Sequence, residues 1–508
     1  MANQNLYGGL KTGNVEAVGK TQVKVEARVD LKVSAKRVIS TTAKCFLGEV
    51  TRVEDEVKLS GRVVTRVIFI DEHDNWNSEE RVDTFTEKLI LKEASNVVSL
   101  VPSAHVLETK VADGGNPSFV EAMNIVDITL LGLIQREVSF VQDVKGEIEK
   151  QIEKTTVATF SRTITHVFEV EERFDLDKNC EGILGTDITA IVREVMVAEG
   201  KVTIKGVAGL NVIAVKMSEG QMIYNSAYEF DFSKSVTVAE LGMDDNVVGS
   251  VSVMNVAVKA ENKTKPELVV TMELCFSGFV VSNSKMEFVR DAFSFNNELV
   301  FAEGAVQESR VLPQVNSFAD VEGNLTMKDG APFISKILAV EGTKIKTMNV
   351  VTANEKVTLE GVMMATCVFE CEERQIHAHK IDVPFSTAIR VDGHESTHSV
   401  QAFVSVVSCQ VKVRRGKELL VDARLGVSLS SSTHVARTVV SDITLGAEKQ
   451  RDDSAILIFT ISEDETIWDI AKRISYPITE ILRQNPHLED GPRAGDKIFI
   501  YRQQVVNF

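Results

Sequence analysis

The sequence predicts a mainly β protein: three tandem antiparallel β-sandwich or barrel-like repeats followed by a small βααβ unit. Three observations carry this reading. A short motif recurs three times at wide spacing, each copy alternates apolar and polar residues with a period of two, and helical spacing replaces that pattern in the last fifty residues. The chain has 508 residues, whereas a single hydrophobic core stops growing at about 250–300, so several domains are expected. With 44% hydrophobic and 25% charged residues and only 9 prolines, no part reads as a long disordered tract.

The first element is the repeat. Val57-Lys58-Leu59-Ser60-Gly61 recurs as Val202-Thr203-Ile204-Lys205-Gly206 and as Val357-Thr358-Leu359-Glu360-Gly361. A phenylalanine stands 24 residues after each glycine: Phe85, Phe230 and Phe385. An aliphatic pair precedes each glycine by 22 or 23 residues: Val38-Ile39, Ile183-Leu184 and Ile337-Leu338. The first two copies also share Arg28-Val29-Asp30-Leu31 and Arg173-Phe174-Asp175-Leu176. Several anchors held at near-constant offset mark a duplicated domain.

Within each copy the strands are legible from parity. Val57, Leu59, Val63 and Val67 share one parity, with Lys58, Ser60, Arg62 and Arg66 between them. Such alternation in a Val-, Ile- and Thr-rich run predicts half-buried strands, and the glycine inside it predicts a bulge or a close backbone approach. The polar runs Asp71-Glu72-His73-Asp74-Asn75 and Ser218-Glu219-Gly220 are expected as turns, and strands within 125–133 and 268–276 close the module. Residues 1–24 are expected as a flexible N-terminal segment, with repeats at 25–145, 160–300 and 313–444 and the terminal unit at 455–503. Segments 146–155, 303–312 and 445–454 read as linkers, and 145–154 has the composition of a short charged helix.

The terminal unit follows from its caps. Residues 456–461 form a strand, Ser462-Glu463-Asp464-Glu465 an acidic turn, and Thr466 is placed as a helix N-cap with Asp469 completing a capping box. Tyr476-Pro477 ends that helix and opens a second over 478–484, which Asn485-Pro486 stops. Arg493-Ala494-Gly495-Asp496 then turns into a strand over 497–501. This run resembles a LysM domain in Phe459-Thr460-Ile461, Thr466-Ile467-Trp468-Asp469-Ile470-Ala471, Ile481-Leu482-Arg483-Gln484-Asn485-Pro486 and Gly495-Asp496-Lys497-Ile498-Phe499-Ile500. Asp464 replaces a glycine usual in that family, and Ala494 a proline. Three β repeats before a LysM-like terminus resemble the SipL-type spore-coat morphogenetic proteins, built from SPOCS domains plus LysM.

That resemblance implies a cytoplasmic protein of the mother cell, located at the forespore surface and spore coat. Its LysM domain would bind a coat-base morphogenetic ATPase or another coat protein. No G-x-S-x-G elbow, H-E-x-x-H helix or G-x-G-x-x-G fingerprint occurs, so no enzyme, cofactor or metal site is expected. The alternative that the resemblance leaves open is a peptidoglycan- or chitooligosaccharide-binding protein, because LysM domains commonly hold N-acetylglucosamine oligomers. The extra carboxylate of Asp464 would crowd such a groove. The candidate partner-binding face is Ile461, Glu463, Asp464, Glu465, Ile467 and Trp468, an apolar centre with an acidic rim, which is the anatomy of a protein-binding patch. Trp468 fits two roles, a core residue beneath the sheet or an interface anchor.

Other function classes find little support in the residues. The net charge of −17 argues against nucleic acid, which needs a basic face. No apolar window approaches 18 residues, so no transmembrane segment is expected, and the first thirteen residues predict no secretory leader. The six scattered cysteines predict buried free thiols in a reducing compartment. Gly13 to Thr21 is near a phosphate-binding loop but has five residues between its glycines where four are needed. His377 and His379, with His394, His398, Cys367 and Cys371, are metal-ligand types without zinc-site spacing.

Overall fold

The computed structural model of the chain describes residues 4–501 apart from 92–93, 113–116, 177–179, 218–219, 263–265, 328–329, 451–455, 489–490 and 492. It is mainly β. The first module comprises β1 (Gln4–Asp30), β2 (Ala35–Val53), β3 (Glu56–Asp71), β4 (Trp76–Ile90), β5 (Val97–Val111) and β6 (Phe119–Lys145). Its strands pair antiparallel as β2-β3-β4 and β1-β6-β5. The second repeats that order with β7 (Ile148–Asp175), β8 (Cys180–Ala198), β9 (Lys201–Met217), β10 (Gln221–Thr237), β11 (Asn246–Asn262) and β12 (Pro266–Ser294), paired as β10-β9-β8 and β11-β12-β7.

In the third module the long first strand is broken. Strands β13 (Asn297–Val311) and β14 (Val315–Thr326) flank Leu312-Pro313-Gln314, where proline has no N–H to donate to a ladder. Both still pair with one strand, β19 (Glu418–Glu448), which also pairs β18 (Ser399–Arg414). The other sheet is β15 (Ile334–Ala353), β16 (Lys356–Cys371) and β17 (Ile376–Arg390). In each module the repeated motif is buried against the second sheet. Val57 and Leu59 join Val126 and Ile128, Val202 and Ile204 join Leu268 and Met272, and Val357 and Leu359 join Leu419 and Leu425.

The glycine of the motif has a specific cause. A Cβ on Gly61, Gly206 or Gly361 would lie 2.7 Å from a ring carbon of Phe85, Phe232 or Phe385 respectively, so each glycine leaves room for an aromatic ring laid across the neighbouring strand. The register pairs Gly61 with Phe85 and Gly361 with Phe385, but Gly206 with Phe232 rather than the expected Phe230. The β9–β10 hairpin is longer, which shifts the partner by two residues and preserves its parity. Phe230 is half-buried and packs at a tilt against Phe174, ring centroids 5.4 Å apart. Of the predicted turns, the first is formed: Asp71 accepts from the N–H groups of His73 and Asn75. Ser218 and Glu219 of the second lie outside the described residues.

The connections differ from expectation. Residues 4–24 are not a flexible lead but part of β1, 148–155, 303–311 and 445–448 are strand rather than linker, and 145–154 is not helical, while 451–454 of the last expected linker lie outside the described residues. Ile148 and Ile152 are four apart, which suits a helix face, but four is also an even number and puts both on one face of a strand. These segments form three two-stranded ribbons, pairing 4–15 with 134–145, 148–160 with 281–294, and 297–311 with 432–448. The ribbons pack on one another: Phe140, Phe288 and Val439 share one cluster, and Val141, Val289 and Val440 another. Gly13 lies inside this bundle, where its C=O accepts from Ser309 Oγ at 2.9 Å, so the phosphate-loop look-alike is strand.

The terminal unit is built as the caps predict. β20 (Ile456–Thr460) pairs antiparallel with β21 (Lys497–Tyr501), and between them lie α1 (Ile467–Ile474) and α2 (Ile478–Gln484). Thr466 and Asp469 form the reciprocal capping box. Asn485 donates to the carbonyls of Ile481 and Phe499 and accepts from the Phe499 N–H, which fastens the end of α2 to β21. All six cysteines are free; five are buried and Cys45 is half-buried. No described helix is long and apolar enough to cross a membrane.

Candidate functional site

Two places bring together residues that sequence separates widely: the junction of the three modules and the seat of the terminal unit. The junction begins with the repeated aliphatic pairs. In β2, β8 and β15 the register slips at Val38/Ser40, Ile183/Gly185 and Ile337/Ala339. Each slip skips one residue, namely Ile39, Leu184 and Leu338. A bulge re-aims the side chain it leaves unpaired, and these three meet in one buried cluster with Ile68, Ile70, Ile213, Val215 and Val368. The second half of the pair therefore serves contact between modules rather than the core within one.

Beside this apolar floor lie three cross-strand rows in equivalent register: Thr42, Arg66 and Glu80; Asp187, Asn211 and Ala227; Glu341, Thr366 and Lys380. Arg66 Nε donates to Glu80 at 3.0 Å, and its Nη2 donates to the Thr186 carbonyl of the second module at 2.7 Å. Lys44 pairs with Asp187 at 3.0 Å, and Asp187 also accepts from the Gly342 N–H at 2.8 Å. Burial alone would raise the Asp187 carboxyl, but Lys44, Arg66 and that N–H hold it down to about 2. Glu341 has the opposite fate. It is 1% exposed, and neither carboxyl oxygen has a hydrogen-bond partner among the described residues. Burial pushes it up to about 7, with Ser40 and Arg66 opposing only in part. The nearby cations are committed to Asp187 and Glu80.

These charged residues were not singled out by sequence reasoning. Arg66 occupies the polar parity of β3 and was expected to face solvent, but it is 7% exposed. The available signal was the unbroken apolar run Val67-Ile68-Phe69-Ile70 beside it, matched by Val212 to Val215, which marks strands buried on both faces. The histidines separate. His377 stacks on Phe369, while buried His394 meets Ser431 Oγ at 2.8 Å and packs against His398. Among the described residues no group of three or more His, Cys, Asp or Glu is placed to hold a metal ion.

The terminal unit sits on the end of the second ribbon. Trp468 Nε1 donates to Asp291 at 2.8 Å, its ring meets Phe293 edge-on at 5.1 Å, and Lys472 pairs with the same Asp291 at 2.7 Å. Of the six residues predicted for a partner face, Ile461 and Trp468 are buried, Glu465 and Ile467 half-buried, and Glu463 and Asp464 exposed. Glu465 pairs with Arg473 at 2.9 Å and accepts from the Ser462 N–H. Asp464 has φ 62°, the left-handed conformation for which glycine is the usual choice and which Asp tolerates better than most residues. Trp468 thus anchors the unit to its own chain, a contact that required knowing where β12 ends.

Residues 179–261 and 334–414 match the family described as SipL, SPOCS domain. Those limits take in β8 to β11 and β15 to β18, the strands that carry the motif and the junction residues of the second and third modules. No curated protein and no solved structure matches the chain. Over these two segments the chain is similar to the SipL-type SPOCS-domain proteins.

Proposed function

We propose that this chain is a non-enzymatic scaffold of endospore-coat assembly, with three sandwich modules spanning β1–β6, β7–β12 and β13–β19 and a LysM-like terminal unit. The terminal unit links other coat components to a coat-base morphogenetic ATPase at the forespore surface, on the mother-cell side. The observation that carries this reading is the SPOCS match in two modules that share one buried junction. Its residues are spent on holding modules together, and the family match over these two modules points to sporulation and the coat.

The docking surface on the terminal unit is narrower than the sequence alone suggests. Ile461 and Trp468 hold the unit together and in place, so the exposed acidic corner, Glu463 and Asp464, meets a basic-rimmed partner. Charge at such a rim acts mainly on association rate and salt sensitivity. The test is affinity purification of the full chain from a sporulating culture, comparing wild type with a Glu463→Lys, Asp464→Lys variant. Loss of the ATPase from the variant, with unchanged circular dichroism, supports the docking. Equal recovery overturns it, and saturable binding of chitin oligomers by the wild type in the micromolar range promotes the glycan reading instead.

A further inference from the structure

The three modules meet around a cavity of about 550 Å³, lined by the middle of β2, β8 and β15 and by β5, β11 and β18. That volume falls in the range of small-molecule sites, about 300–1,000 Å³, which are mostly apolar with a few placed polar groups. Here the apolar lining includes Ile188, Ile191, Val251, Val253, Met254 and Phe403.

The three seams between modules are closed by different chemistry. The second and third modules join through the apolar contact of Ile191, Val207 and Val407, a hydrogen bond from Thr189 to the Val406 carbonyl, and the ion pair of Arg424 with Glu229 at 2.8 Å. The first and second join through Arg62, which donates to the Met254 carbonyl and to Asn255, and through the Arg66 and Lys44 contacts to Thr186 and Asp187. At the third seam two lysines of the last module reach the β5 edge of the first, Lys344 donating to the Val106 carbonyl at 3.1 Å and Lys380 to the Thr109 carbonyl at 3.3 Å. Both line the cavity, beside His105. Lys44 and Lys346 also line it, but Asp187 and Asp382 neutralise them. Neither Lys344 nor Lys380 has a carboxylate within ion-pair distance among the described residues, although Glu108 stands nearby. Each ammonium retains donors beyond its one carbonyl.

We propose that this cavity binds an amphipathic organic anion, its apolar body among the lining Ile, Val, Met and Phe side chains and its acid group between Lys344 and Lys380. The half-buried Lys344 ammonium lacks an ion-pair partner among the described residues, and one acid group accepting from it and from the exposed Lys380 supplies that partner. Burial and the neighbouring Lys380 push the Lys344 amine down to about 8. Affinity therefore falls as pH rises past that region, where the amine loses its charge.

The experiment is isothermal titration of the full chain with decanoate below its micelle concentration, alongside decanol and inorganic phosphate as tail-only and charge-only controls. Saturable 1:1 decanoate binding, at least tenfold weaker for decanol and for phosphate, supports the proposal. So does a tenfold loss in Lys344→Met, Lys380→Met with unchanged melting, while Lys346→Met binds as wild type. Phosphate binding as tightly as decanoate shows a simple anion site and overturns the apolar half of the proposal. The whole proposal falls if decanoate fails to saturate at millimolar concentration, or if the double variant binds it equally. These outcomes are independent of ATPase recruitment.

Discussion

Removing hydrogen from the motif glycine should damage the three modules to different and calculable degrees. At Gly61 the atoms nearest a new Cβ are ring carbons of Phe85, while the closest backbone atom, the Phe46 carbonyl oxygen, lies 3.1 Å away. At Gly206 and Gly361 the new Cβ collides with a ring and also with a backbone carbonyl, of Ile191 or Thr347. A ring tips aside more easily than a paired strand. Overpacking of a dense core costs about 1–3 kcal/mol, so Gly61→Ala falls in that range, and Gly206→Ala and Gly361→Ala fall at or beyond its top. Phe85→Leu should then partly rescue Gly61→Ala, whereas Phe232→Leu should not rescue Gly206→Ala, because the carbonyl remains. Deleting the ring outright, Phe232→Ala, should cost about 3–5 kcal/mol, against less for Phe230→Ala, whose ring is only half-buried. Denaturant unfolding followed by hydrogen exchange resolves the affected module, since a chain of several modules need not unfold in two states. A larger loss from Phe230→Ala than from Phe232→Ala would refute the register argument. Equal rescue at Gly61 and Gly206 would refute the distinction between ring and backbone.

Three further outcomes follow from the junction and the terminal unit. Glu341 is raised from 4.5 to about 7 in the fold, so folding favours its protonated form; the penalty is absent below 4.5, grows through the interval and reaches about 3 kcal/mol above it at 1.36 kcal/mol per decade. Glu341→Gln should therefore gain stability over wild type at pH 8 and little at pH 4.5, read from denaturation midpoints. Trp468→Phe keeps a ring against Phe293 but removes the indole N–H from Asp291. Loss of a hydrogen bond to a charged group should weaken the seat by about 1–3 kcal/mol, measured as faster exchange in α1 with β3 and β9 unchanged. Asp464→Gly should stabilise the terminal unit by up to about 1 kcal/mol by relieving a left-handed backbone, measured as a higher melting temperature of that unit.

What could be read from sequence was whatever local chemistry decides. The parity of Val57 and Leu59, the Thr466 capping box and the two short helices depend on neighbours within a few residues, and they are where the pattern put them. Misreadings came where distant pairing outweighs local signal. Residues 145–154 carry the composition of a charged helix, but the antiparallel partner at 287–294 draws their middle and end into a ribbon. The glycine's aromatic partner followed the length of a hairpin, not a fixed count. Trp468 was ambiguous because its partners, Asp291 and Phe293, are 177 and 175 residues away in sequence, 468 − 291 and 468 − 293.

The junction residues were illegible for a deeper reason, and it bears on how duplicated modules come to pack in one order. Duplication delivers the same backbone positions three times, so identical side chains there would bring three like charges or three unpaired polar groups together. The rows instead diverge. One module supplies Arg66 and Glu80, the next Asp187 with Asn211, and the third Glu341 with Thr366 and Lys380. Asp187 takes Lys44 and lies 4.0 Å from Arg66, both from the first module, which matches the second module to the first and to no copy of itself. An ion pair in a dry site adds little net stability, but separating its partners is expensive, so it penalises wrong neighbours more than it rewards the right one. Glu341, at the register position of Asp187, has no second Lys44 and Arg66 to meet. Its raised proton affinity is the physical trace of a junction whose cations have already been assigned.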